Sequence, residues 1–326
     1  MTPFNTNMIQ AARRRIEPHV LRTPLLHSPP LSLLCGSHVY LKMECWQTCG
    51  CFKIRGATNF LRQHQAAVQK YGVVTASSGN HALGVAYAAA KMQVQQVGIF
   101  LPENADPSKV DKIRQCGIEP VIEGGNFFET LDIAQAYTRR TGACYVHSNA
   151  DPLVISGQGT IGLEILEDLP DVDAVVVPVG GGGLISGIAA AIKADSNGVS
   201  IIGAEPEASP GAYQSLQKGE PCERITTKPS VADGLAGGLS PLPFEIAQHL
   251  ITHVALAAED EIITAMKAFL TEEQLVIEGA ASVGLALLLA EKIKLRNQKV
   301  VLVVTGRNID SEKFLSIIAQ SGESIS

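Results

Sequence analysis

The chain has 326 residues, of which 46% are apolar and 18% charged, with a formal net charge of −6. That length exceeds the size at which one hydrophobic core stops growing, and together with the apolar content it excludes a small stapled module and a disordered chain. Net acidity removes any long-range attraction for nucleic acid, and the longest apolar run, Gly284 to Ala290, falls well short of the roughly 20 residues that a membrane span needs.

Along the chain, the opening stretch from Met1 to Pro18 carries its charges in a helix-like pattern and lacks the apolar centre of a secretory signal. With seven cysteines, an odd number, this points to a cytoplasmic protein with reduced thiols. From residue 73 onward short β-branched runs alternate with helical patterns. Val73 to Thr75 is followed by a helix over His81 to Ala90, then Val97 to Leu101, a helical stretch over Ser108 to Gln115, Ile118 to Ile122, a helix over Phe127 to Thr141, and Ala143 to Val146. A second series follows, with strands at Ala174 to Val177, Ile201 to Ala204 and Val300 to Val304 and helices near 184–194, 259–270 and 279–292. This β-α-β-α rhythm predicts two open, twisted α/β lobes with mostly parallel sheets. The chain ends soon after the last strand, with no room expected for an appended regulatory domain.

Four segments carry chemistry. Val177-Pro178-Val179-Gly180-Gly181-Gly182-Gly183-Leu184 sits where a buried strand becomes a helix. Successive N–H groups without side chains converge there on an anion, and the helix N-terminus adds its positive end, so the segment reads as a phosphate cup. It has neither the Lys-Ser/Thr of a nucleotide P-loop nor the glycine spacing of a dinucleotide fingerprint, which demotes nucleotides. Glu44 to Ala57 sets Lys53 between Phe52 and Ile54, two residues before Arg55. Apolar surroundings or a neighbouring cation lower the proton affinity of an amine and make it a nucleophile. Thr75-Ala76-Ser77-Ser78-Gly79-Asn80-His81 offers hydroxyls, an amide and free N–H groups at a helix start, suited to a carboxylate or phenolic oxygen. Thr305 to Asp310 places a hydroxyl at the carboxyl end of the last strand, where ligands collect in open α/β sheets. The first three have plainer alternatives: a tight turn, a salt-bridged lysine and an ordinary helix cap.

Taken in order and spacing, these segments, with Gly157 to Thr160 (G-Q-G-T) and Ala232 to Gly234 (A-D-G), resemble the fold-type II pyridoxal-phosphate enzymes of the threonine/serine dehydratase and serine racemase family over nearly the whole chain. The resemblance implies a tryptophan synthase β-like fold. In it, residues 1–68 and 149–326 form a large cofactor-binding domain and residues 69–148 a small mobile one, with pyridoxal 5'-phosphate in the cleft between them. It implies that Lys53 bonds the cofactor and Phe52 packs on its ring. Asn80 would reach the ring oxygen, Gly180, Gly181, Gly182, Gly183 and Leu184 would hold the phosphate, and Thr305 would face the pyridine nitrogen, with Glu278 near the ring or capping the helix that follows. Ser77, Ser78, Asn80 and His81 would cradle the substrate carboxylate, with Gly234 close by. Ser78 would stand on the face opposite Lys53.

The activity so implied is removal of water and then ammonia from a small L-β-hydroxy-amino acid, L-threonine or L-serine, to leave a 2-oxo acid. An amino-acid racemase is the alternative, as is a dehydratase for 3-hydroxyaspartate, phenylserine or a hydroxyectoine-derived substrate, the branch that Val276 to Ala280 and Thr305 to Asp310 most resemble. The chemistry agrees independently. A neutral hydroxyl at Thr305 does not force protonation of the pyridine nitrogen, which suits prompt loss of a β-hydroxyl over a long-lived carbanion. The partners implied are a small-molecule amino acid and a second copy of the chain in a homodimer, with no nucleic acid and no membrane.

Several positions depart from the family pattern. Cys49 and Cys51 stand where it has Thr and Ser. Together with Cys45 they suggest ordinary buried thiols, because a fourth ligand and zinc-knuckle spacing are missing. Racemase-type members hold a divalent cation with a Glu and an Asp. Glu205 is present here, Gly211 occupies the Asp position, and no metal is assigned. Arg307 replaces a glycine, either beside the site or facing solvent.

Overall fold

The structure, a computed structural model, describes residues 4–77, 79–103, 105 and 107–319. Ten strands build two sheets: β1 (Leu25–His27), β2 (His38–Lys42), β3 (Val73–Ala76), β4 (Val97–Leu101), β5 (Val121–Ile122), β6 (Cys144–Tyr145), β7 (Ala174–Pro178), β8 (Ser200–Pro206), β9 (His253–Ala257) and β10 (Lys299–Val303). The larger sheet runs in the order β1-β2-β10-β7-β8-β9 and is parallel except for β1, which pairs antiparallel with β2. The smaller runs β5-β4-β3-β6 and is parallel throughout. A parallel sheet needs both faces covered, and β7, Ala-Val-Val-Val-Pro, is buried at every position. The helix Gly279–Leu289, buried from Gly279 to Leu288, lies over one face of the larger sheet, with Gly284 beneath Val176, and the helix Gly183–Asp195 covers the other.

The alternating lobes read from the sequence are present, with shorter strands at residues 118–122 and 143–146 than the β-branched runs suggested. The sequence reading omitted β1, β2 and β9. Each is short or punctuated by His or Ala, and β1 is an edge strand.

One helix, Pro152–Asp168, spaces the site. Along it, a Cβ on Gly157 would lie 2.6 Å from Gly56 Cα, and one on Gly159 would lie 2.8 Å from Gly187 O. Bare backbone at these crossings lets it touch both the helix Lys53–Gln63 and the helix Gly183–Asp195. The amine-bearing helix and the glycine-loop helix are thus set from one strut. Beneath them Arg55 donates to Glu44 (2.7 and 2.8 Å) and to Glu164 (2.6 and 2.9 Å), and Lys42 Nζ donates to Glu164 at 2.6 Å, all of it buried. Among the described residues no helix is long and apolar enough to cross a membrane.

Candidate active site

The carboxyl ends of β3, β6, β7 and β10 lead directly into the chemical segments. After β10 comes Thr305, whose carbonyl accepts the Phe52 N–H at 3.1 Å, while Cys51 bridges to Gly306. The lysine segment is therefore laid against the end of the last strand. Lys53, the first residue of its helix, donates from Nζ to Ser148 O at 3.0 Å and stands 5.1 Å from the centre of the Phe52 ring. Burial of the amine lowers its pKa to about 8, with Cys51 and Glu278 pulling the other way. Arg55 takes no part in that shift. Its guanidinium is consumed by Glu44 and Glu164, so of the two causes the sequence allowed, desolvation is the one that operates.

After β7, Gly180 and Gly181 are half-buried and Gly182 adopts φ +89°, a left-handed turn into the helix. All four glycines are crowded at the Cβ position. A Cβ on Gly181 would overlap Asn149 Nδ2 at 1.4 Å, and one on Gly182 would sit 2.2 Å from Leu239 Cδ1. Leu184, next along the helix, is buried in the core beneath the loop. Gly180 abuts Leu235, the neighbour of the exposed Gly234.

After β3, Ser77 Oγ accepts the Gly79 N–H at 3.3 Å, and Ser78 lies outside the described residues. Asn80 Nδ2 donates to both Glu278 oxygens (2.7 and 3.0 Å) and Asn80 Oδ1 accepts from Asn308 Nδ2 at 2.8 Å. Glu278 is buried and its carboxyl is held above the ordinary range by desolvation, against the Asn80 hydrogen bond and Lys109. The choice left open for Glu278 is thereby narrowed: its side chain turns into the cleft and does not cap the helix it precedes. The His81 ring is not turned toward a carboxylate. It is buried, its Nε2 donates to Val146 O at 3.1 Å, and burial with Lys53 nearby takes its pKa down to about 3. A neutral imidazole whose N–H is committed leaves only the backbone N–H at the helix start for an anion.

The segment after β6 carried no reading from the sequence, yet it joins the others. Ser148 O receives Lys53, the Asn149 amide lies on Gly181 and donates to Ser240 Oγ at 3.3 Å, and His147 Nδ1 accepts the Ala150 N–H at 3.0 Å. The signal was available: His147 to Asn149 follow a strand, as the other ligand segments do. Lys112 also reaches in, donating to Asn308 Oδ1 at 3.2 Å. Away from the cleft, the buried Glu205 carboxylate caps the helix Gly211–Lys218, accepting from Ala212 N (2.7 Å) and Tyr213 N (2.8 Å), with burial raising its pKa to about 8 against those donors. Arg307 faces solvent.

A family model described as "Pyridoxal-phosphate dependent enzyme" matches residues 16–306. The chain is 42% identical over 325 residues to the L-threonine ammonia-lyase of Geobacter sulfurreducens, covering 99% of this chain and 79% of that protein. It is 44% identical over 303 residues to the L-threonine ammonia-lyase of Thermotoga maritima, covering 93% and 75%. Among solved structures, maize serine racemase superposes with a TM-score of 0.90 at 34% identity, covering 97% of each chain. A match that begins before Lys53 and ends after Thr305 takes in the lysine segment, the segment after β3, the glycine loop and Thr305, and the chain belongs to the pyridoxal-phosphate-dependent enzymes.

Proposed function

We propose that the chain is an L-threonine/L-serine ammonia-lyase, converting the β-hydroxy-amino acid to a 2-oxo acid and ammonia. The observation that carries this reading is the convergence of a partly desolvated amine, Lys53, and a side-chain-free loop at a helix N-terminus on one cleft. The two ammonia-lyase relatives at 42% and 44% identity support it. The residues fit pyridoxal phosphate: each of the four loop glycines is crowded at the Cβ position while Gly180 and Gly181 stay half-buried.

In this reading Lys53 bonds the cofactor, the N–H groups of Gly180 to Gly183 with Leu184 hold its phosphate, Phe52 packs on its ring, Asn80 meets the ring oxygen and Thr305 faces the pyridine nitrogen. When bound, pyridoxal phosphate supplies an electron sink that makes the substrate α-proton acidic. Once the substrate amine has taken its place, Lys53 would be the base for that proton, its amine brought toward the neutral form by burial. Ser148 O keeps the amine pointed into the cleft from below. Ser77, Ser78, Asn80 and the N–H of His81 seat the carboxylate, with Gly234 leaving room beside it. Glu278 fixes Asn80 through its two oxygens, so the amide is set before any ligand arrives.

A racemase is the second reading, favoured by the likeness to maize serine racemase. Racemisation needs a proton donor on each face of the α-carbon, whereas elimination needs a base on one. The test is parallel measurement of 2-oxo acid and D-amino acid from L-serine and L-threonine, with 3-hydroxyaspartate and 3-phenylserine in the panel. The expected result is 2-oxo acid from L-threonine or L-serine as the main product, with Ser78→Ala losing any L-to-D conversion and keeping measurable elimination. D-serine formed faster than pyruvate would replace the lyase by the racemase. A homodimer, a cytoplasmic location and a small mobile unit over residues 69–148 complete the proposal. Sedimentation velocity checks the first, fractionation of the native cells the second, and hydrogen exchange with and without a substrate analogue the third.

A further inference from the structure

We propose that Cys49 and Cys51 form an intrachain disulfide when the protein meets hydrogen peroxide, and that this bond switches off the site by displacing the segment that presents Lys53. The two sulfurs lie 3.6 Å apart, both buried, in one apolar cluster with Ile54. They stand where the resembled family has Thr and Ser, so the pair is a property of this chain. A disulfide needs about 2.05 Å between sulfurs, a closure of about 1.5 Å. The residue between them is Gly50, at φ +75°, a left-handed conformation that glycine adopts and leaves without a Cβ penalty. Both thiols are free, and the residues that follow them, Phe52 and Lys53, are half-buried.

The two sulfurs are also unequal. The hydrogen bond from Cys51 lowers the Cys49 thiol below the ordinary range against the cost of burial, while burial raises Cys51 well above it. Either sulfur can attack and the other resolve. When Cys49 attacks, its thiolate bonds one peroxide oxygen, the O–O bond breaks, and sulfenic acid forms with release of one water once the departing oxygen is protonated. Cys51 sulfur then attacks the sulfenic sulfur, the S–O bond breaks, and its thiol proton leaves with the hydroxyl as a second water. Two thiols lose one electron each and the peroxide is reduced to two waters.

The consequence for the site follows from what Cys51 touches. Its sulfur lies 3.7 Å from Asn80 O and its backbone bridges to Gly306, two residues before Lys53. Drawing Cys51 toward Cys49 pulls on Asn80 and on the start of the lysine helix together. Misplacement of a reacting group by about 1 Å costs on the order of a hundredfold in rate, and a loss of about ten- to a hundredfold is expected here.

This inference rests on Lys53 as the cofactor lysine, and its experiment reads the sulfurs separately from turnover. The holoenzyme is treated with hydrogen peroxide, alkylated, denatured and digested with trypsin, and the segment Met43–Lys53, which carries Cys45, Cys49 and Cys51, is weighed. The expected product is alkylated at Cys45 alone and two hydrogens lighter at Cys49 and Cys51, in step with a loss of activity and a change in the cofactor's visible absorption, both restored by dithiothreitol. The Cys49→Thr/Cys51→Ser double variant should keep basal activity and resist peroxide. Three alkylated cysteines in wild type, a disulfide without change in absorption or activity, or equal peroxide sensitivity in the double variant would each overturn the proposal. Failure of the lyase reading alone would show as a disulfide that shifts the cofactor spectrum of a protein inactive on β-hydroxy-amino acids.

Discussion

An amine must shed its proton before it can attack a carbonyl, and Lys53 is brought toward that state by burial, with no cation assisting. In the apoenzyme its acylation by an amine-directed reagent should therefore inflect near pH 8, the neutral form dominating above that value, where an exposed lysine inflects at about 10.4. Mass spectrometry of the lysine peptide across a pH series checks this, and an inflection at the ordinary value would contradict it. The Lys53→Ala variant should yield no borohydride-fixed cofactor and lose turnover by several orders of magnitude. His81 shows the opposite use of burial. Its ring is kept neutral far below its ordinary range, and its Nδ1 is buried with no hydrogen-bond partner among the described residues. As pH falls below about 6.5 the unfolded chain binds a proton there that the folded chain refuses, so this residue subtracts stability in acid.

Elements contribute by how closely their backbones approach. Substitution of Gly187 brings a Cβ to 2.4 Å from Ile155 O and 2.7 Å from Gly159 N, both backbone atoms that cannot rotate away. Gly187→Ala should push the two helices apart at a cost of about 1–3 kcal/mol, seen as a lower urea midpoint. At Gly181 the obstacle is the end of the Asn149 side chain, which can turn aside. Gly181→Ala should keep the fold and weaken cofactor binding, and Gly181→Asp, which adds a negative charge at the phosphate cup, should abolish it. Equilibrium dialysis against pyridoxal phosphate separates the cases. Unchanged affinity in Gly181→Asp would make the loop a structural turn only.

Across the whole molecule, the buried cluster of Lys42, Glu44, Arg55 and Glu164 ties the lysine helix, β2 and the strut helix Pro152–Asp168 into one frame. Burial alone would raise the Glu44 carboxyl, yet Arg55 beside it holds it below the ordinary range. A depressed carboxyl contributes stability that is present above its unfolded value, about 4.3, and is lost as pH falls through the folded one. Arg55→Met leaves Glu44 and Glu164 underpaired and should cost about 3–5 kcal/mol at neutral pH, measured by chemical denaturation. The penalty should shrink in acid, where the carboxyls protonate. A pH-independent loss would assign the effect to packing.

Much of the fold and of the candidate site was legible in the residues because both rest on local pattern. β-branched runs alternating with helical ones specify parallel sheets, and glycines, hydroxyls and a lysine placed just after strands or at helix starts mark where ligands gather. Lys53, Asn80, the glycine loop and Thr305 were singled out as candidates in that way. What the tertiary structure alone decided are relations between distant segments. That Arg55 serves Glu44 and Glu164 and leaves the lysine amine alone, that His81 turns inward to Val146, that Ser148 and Asn149 meet the lysine and the glycine loop, and that Cys49 faces Cys51 all depend on which way a side chain points once helices have packed. Sequence spacing carries the period of an element and the chemistry of its ends. Direction across a packed interface is set by the neighbours that close packing supplies.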